Sequence, residues 1–208
     1  MIFHQVLIDQ LEYTHSDEGG GLAWDVQAWV GRDYNRLFFK SEGERRGGQI
    51  EEGRIELLWS RPVEAFWDAQ VGLRRDFGHG PKRNWLAVGV QGIAPYLFDI
   101  EATAYLGTGG RTALRLSAEY EVPITQRTFL TPEVEANLHG KSDRERGVGS
   151  GLSDVSFGLR LRHEFRREFA PYVGVVWTRS LGRTADFVRA EGAPVSERQI
   201  VAGVRFWF

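Results

Sequence analysis

Cysteine is absent from the 208 residues, and the single methionine is Met1. That removes disulfide frameworks, thiolate metal sites and cysteine catalysis. No run approaches the roughly 18–20 apolar residues of a membrane-crossing helix. A dominant charge sign is lacking too: 28 acidic against 26 basic residues leave a net charge of −2, without the signature of a nucleic-acid partner. Residues 1–5 show neither a basic n-region nor an apolar h-region, so no signal peptide is expected in them. What is abundant is glycine (25), phenylalanine (13) and tryptophan (7). Mean hydropathy is −0.34. The length suits one domain over residues 1–208.

Apolar and polar residues alternate strictly in many segments, the mark of strands with one apolar and one polar face. In 154–162, Val155, Phe157, Leu159 and Leu161 oppose Asp154, Ser156, Arg160 and Arg162. The same pattern holds in 22–29, 67–74, 98–106, 114–121 and 132–139, and more weakly in 37–44, 54–60, 85–91 and 172–178. Residues 4–13 read as a strand of ambiguous facing, because Asp9 and Gln10 are adjacent and both polar. With 200–208, the segments predict twelve strands.

Five connections are expected to be short: 32–35, 62–66, 93–97, 123–127 and 163–169. They alternate with connections read as longer loops at 15–21, 45–49, 77–83, 107–111, 140–152 and 181–196, several rich in Gly and charge. Short turns at one end and longer loops at the other are what a transmembrane antiparallel up-and-down β-barrel shows. An even strand count puts both termini on the short-turn, periplasmic side. The chain closes on Phe206 and Phe208, on the outward face of the last strand, like the assembly signal of outer-membrane barrels. A soluble β-sandwich with a solvated polar face is the competing reading. Trp24, Trp59, Trp67 and Trp177 near strand ends favour aromatic girdles at two lipid interfaces.

Several stretches carry a further signal: IDQLEY at 8–13, LAWDVQAWVG at 22–31, KSEGE at 40–44, LWSR at 58–61, FWDAQVG at 66–72, GVQG at 89–92 and APY at 94–96. They continue in RTALR at 111–115, EYE at 119–121, GVGSGLSD at 147–154, RREFAPYVGV at 166–175 and VAGVRFWF at 201–208. Together they give the chain a resemblance to the copper resistance protein B family of bacterial outer membranes. It implies an outer-membrane barrel in contact with lipid, with a role in copper tolerance by binding copper ions or moving them. It also implies periplasmic copper-handling proteins as partners. Family members carry a signal peptide and a Met- and His-rich stretch ahead of the barrel. Neither is found in these residues, so copper capture by such a stretch is expected to lie outside them.

Cu(I) prefers sulfur donors, whereas Cu(II) takes imidazole with oxygen, so Cu(II) is the form this composition suits. His139 is the leading candidate ligand, on a polar face beside Asn137, Glu135 and Glu133, with His15 and His79 expected on loops at the same mouth. Asp99, Glu101, Glu119, Glu121, Glu133 and Glu135 come from three consecutive strands and form the expected acidic lining. Lys40, Arg54, Arg74, Arg115, Arg160, Arg162 and Arg205 are their expected basic partners. A salt-bridged interior that plugs the barrel, leaving it an anchor, competes with an acidic path for cations. A general small-solute porin is a third reading. The serines face inward while the histidines sit at the rims, which does not suit acyl transfer, so no enzymatic activity is expected. Gly147, Gly149 and Gly151 precede a strand rather than a helix and read as a flexible loop.

Overall fold

The computed structural model describes residues 2–17 and 19–208. Each alternating stretch forms a strand, and a closed ring is the arrangement that leaves no edge unpaired. In chain order the segments are β1 (Phe3–Ser16), β2 (Gly19–Arg32), β3 (Asn35–Arg46), β4 (Gln49–Glu64), β5 (Trp67–Gly78), β6 (Arg83–Ala94) and β7 (Phe98–Gly107). They continue as β8 (Arg111–Tyr120), β9 (Val122–Pro123), β10 (Thr128–His139), β11 (Gly151–His163), β12 (Phe169–Ser180) and β13 (Ser196–Trp207). β9 extends β8 past Glu121 on the same partner, β10, so the segments make twelve staves. All pairings are antiparallel between sequence neighbours, and β13 returns to β1 with Tyr13 opposite Ala202 and His15 opposite Ile200.

A β-bulge settles the facing of β1. Ile8 pairs with Val26 and Gln10 with Asp25, which leaves Asp9 as the extra residue. Asp9 and Gln10 therefore both turn into the lumen, where they meet Arg205 and Arg160. Beyond the bulge Glu12, Thr14 and Ser16 are buried, while Leu11, Tyr13 and His15 are exposed.

The outward face is the apolar one. Leu73 is 64% exposed, Ile200 61% and Val173 57%, values a water-soluble sandwich would not spread around its whole circumference. Trp177 stacks on Phe157 at 5.7 Å on this face, and Phe206 stacks on Phe208 at 6.4 Å. Among the described residues no helix is long and apolar enough to cross a membrane; this chain crosses with strands.

Several expectations need correction. Two of the supposed loops, 15–21 and 45–49, are mostly strand: β1 runs to Ser16, β2 starts at Gly19, and β3 and β4 meet at a tight turn. Gly47 and Gly48 make that turn with φ of 58° and 86°, the left-handed pair that glycine adopts without strain. The difference in connection length therefore rests on 140–150 and 181–195. The latter, read as loop throughout, holds helix α1 (Gly182–Ala190), whose Thr184 and Ala185 are buried. Gly149, expected in a flexible loop, is pinned: its N–H donates to Thr184 Oγ1 at 2.9 Å. The interior is not uniformly polar either. Phe38, Leu58, Trp85, Ala87 and Tyr105 form an apolar cluster inside the barrel, with Trp29 and Ala113 packed against it.

Candidate functional site: the barrel lumen

A vestibule of about 700 Å³ opens at the end of the barrel that carries 140–150 and 181–195. Its walls carry eleven carboxylates and six guanidiniums. Towards the other end the lumen pinches to a cavity of about 20 Å³ between Asp9, Glu119, Thr131, Arg162, Tyr172 and Arg205. One side is filled by the apolar cluster, whose polar tips are satisfied. Trp85 Nε1 donates to Asp76 at 2.7 Å, and the Tyr105 hydroxyl donates to Glu56 at 2.9 Å.

Ion pairs cross the middle. Lys40 on β3 reaches Glu101 on β7 at 2.7 Å. Arg115 on β8 binds Glu135 at 2.6 Å and, across the lumen, Glu42 on β3 at 3.2 Å. Arg54 also pairs with Glu42, and Arg74 pairs with Asp76 at 2.6 Å. Arg160 binds Glu133 at 2.7 Å and Glu12 at 3.2 Å. Arg162 and Arg205 share Glu121, at 2.7 and 3.0 Å. All seven basic residues expected inside are thus held by lumenal carboxylates.

The six expected acidic residues divide into two sets. Glu101, Glu121, Glu133 and Glu135 are bound by the bases above. Asp99 and Glu119 have no ion pair among the described residues, and Asp99 is exposed near the narrow end. The pairings set Asp99, Glu119 and Glu133 side by side on β7, β8 and β10, a row of like charge. In the vestibule, Asp25 and Glu52 likewise have no basic partner among the described residues, and Asp154 is held by the Asn137 amide at 2.9 Å.

The histidines do not converge. His139 faces inward at the end of β10, with Nδ1 2.8 Å from Ser153 Oγ. His79 lines the vestibule wall, and its N–H is bonded to Glu51 O at 2.7 Å. His15, expected on a mouth loop, sits in β1 and turns outward, because the bulge at Asp9 reverses the facing beyond it. Among the described residues no three His, Cys, Asp or Glu side chains come together as a metal site. Sequence reasoning missed Glu12, which is 3% exposed and binds both Arg160 and the Tyr172 hydroxyl. The adjacent polar pair Asp9–Gln10 was the signal for the bulge that turns it inward.

A family model for the copper resistance protein B precursor matches residues 2–208. The chain belongs to the copper resistance protein B family. It is 46% identical over 200 residues to the copper resistance protein B homolog of Pseudomonas syringae pv. tomato, covering 96% of this chain and 68% of that one. Identity to copper resistance protein B of Escherichia coli is 45% over 207 residues, covering 100% and 70%. Among solved structures it is similar to the NanC porin, with a TM-score of 0.60 over 98% of this chain and 99% of that one. A KdgM porin in complex with disordered oligogalacturonate gives 0.57 over the same shares. Both are 12% identical, so they bear on the fold, which is that of outer-membrane barrels. Membership of the copper resistance protein B family and this fold give the chain a copper-resistance role at the outer membrane.

Proposed function

We propose that this barrel admits copper ions as Cu(II) into the acid-rich vestibule and passes them along lumenal carboxylates. The observation that carries this reading is the excess of eleven carboxylates over six guanidiniums around the 700 Å³ opening. Five of the six guanidiniums are engaged by carboxylates and Arg146 donates to Pro81 O, which leaves Asp25, Glu52 and Asp154 to face an incoming cation. Oxygen donors with His79 and His139 near the mouth suit Cu(II) and give Cu(I) no sulfur. The longer connections support taking the mouth as the outer side, with both termini periplasmic. Copper delivered through the narrow end would pass to periplasmic copper-handling proteins.

A second reading is favoured by the cross-lumen pairs Lys40–Glu101 and Arg115–Glu42. These would hold the barrel shut, so that it serves as a membrane anchor. Reversal potentials in a planar bilayer separate the two. The copper-path reading expects cation-selective conductance that falls when Asp25, Glu52 and Asp154 become amides. Absence of conductance supports the anchor, and unselective, metal-independent conductance supports a general small-solute porin.

A further inference from the structure

Charge is segregated across the wall at the vestibule end. Glu44, Glu52 and Glu197 line the lumen there. Arg45, Arg75, Arg179 and Arg198 share the outward faces of β3, β5, β12 and β13 and are all exposed. Their guanidinium groups have no ion pair or hydrogen bond among the described residues, and outward strand positions at this end carry no carboxylate to take one. Three stand next in the outward row to an apolar residue: Arg75 follows Leu73, Arg179 follows Trp177, and Arg198 precedes Ile200; Arg45 lies beyond Phe39, Ser41 and Gly43 and opposite the exposed Ile50. The β12–β13 register sets Arg198 opposite Trp177 and Arg179 opposite Ser196, so these two arginines are diagonal neighbours.

An unpaired guanidinium just past an apolar belt lies where lipid headgroups begin. Its planar donors match a phosphate in two parallel hydrogen bonds. We propose that Arg45, Arg75, Arg179 and Arg198 form a collar that binds the phosphate groups of the membrane lipids around the barrel mouth. Naming those lipids as the phosphorylated glycolipids of the outer leaflet rests on the orientation proposed above.

The test is native mass spectrometry of the whole chain, released from micelles doped with bisphosphorylated lipid A, the same lipid without its phosphates, or inorganic phosphate. Wild type should retain the phosphorylated lipid and neither of the other two. Each guanidinium is worth roughly fivefold in affinity. Changing all four to Gln should therefore cut retention at least about tenfold, while Arg61→Gln at the opposite end should leave it unchanged. Equal retention of the dephosphorylated lipid by wild type, or undiminished retention by the quadruple variant, would overturn the proposal. The wild-type arms decide the matter even if that variant fails to fold. Orientation is read separately, by protease cleavage within 181–195 on intact cells, so failure of either idea is recognisable.

Discussion

Arg160 of β11 holds Glu12 of β1 at 3.2 Å, although β12 and β13 stand between their strands. Both residues line the vestibule, and the pair is extended by the Tyr172 hydroxyl, which donates to Glu12 at 3.0 Å. Removing one partner of a buried pair strands the other. Glu12→Ala should therefore cost on the order of 3 kcal/mol, read as a lowered urea midpoint of the barrel refolded in micelles. An unchanged midpoint would mean that Glu133 and Gln10 suffice for Arg160.

Paired and unpaired lumenal acids should respond in opposite directions. Glu135→Gln leaves Arg115 with less charge to face and should lower the unfolding temperature. Asp25 stands opposite Glu42 in the sheet without a base of its own, so Asp25→Asn should hold or raise that temperature. Calorimetry of the two variants side by side checks the sign.

The histidine geometry makes a discriminating forecast for copper titrated calorimetrically. His79→Ala and His139→Ala should weaken Cu(II) binding, because His79 lines the vestibule and His139 faces inward at the end of β10. His15→Ala should not, since His15 turns away from the lumen. Equal losses at all three would signal scattered surface binding instead.

Outside the membrane, the connection 140–150 is latched by Asp143. Arg83 binds that carboxylate twice, at 2.8 and 3.1 Å, and Arg111 approaches at 3.2 Å. The hydrogen bonds from Arg83 hold the Asp143 carboxyl below its ordinary range. A depressed pKa contributes stability that is present above the unfolded value and lost as pH falls through the folded one. The latch should therefore survive neutral and mildly acidic conditions and loosen below roughly pH 4. A spin label at Lys141 should stay immobile at pH 5 in wild type and be mobile at pH 7 in Asp143→Asn. Gly80 belongs to the same contact: a Cβ there would stand 2.5 Å from Glu145 O, so Gly80→Ala should mobilise the label too.

Period-two alternation made the staves legible, because a barrel wall separates lipid from lumen at every residue. The lumenal bases were legible for the same reason, and Arg115 and Arg160 lie where their parity placed them. Their partners across the barrel were not, since Arg115–Glu42 depends on closure and no local pattern encodes it. Asp9 broke the parity rule, and with it the facing of Glu12 and His15. Helix α1 escaped notice because it begins at Gly182 without a side-chain cap and owes its place to packing of Thr184 and Ala185. Phe38, Leu58 and Tyr105 inside the barrel show that some lumen positions are filled as a core rather than left as a path.

The most direct test of copper passage is Cu(II) entry into vesicles loaded with a copper-quenched dye and bearing the reconstituted barrel. Wild type should admit Cu(II) faster than empty vesicles, and Asp25→Asn with Glu52→Gln and Asp154→Asn should slow entry about tenfold while the fold is kept. Entry through wild type at the rate of empty vesicles would contradict the account and leave the barrel as a closed anchor.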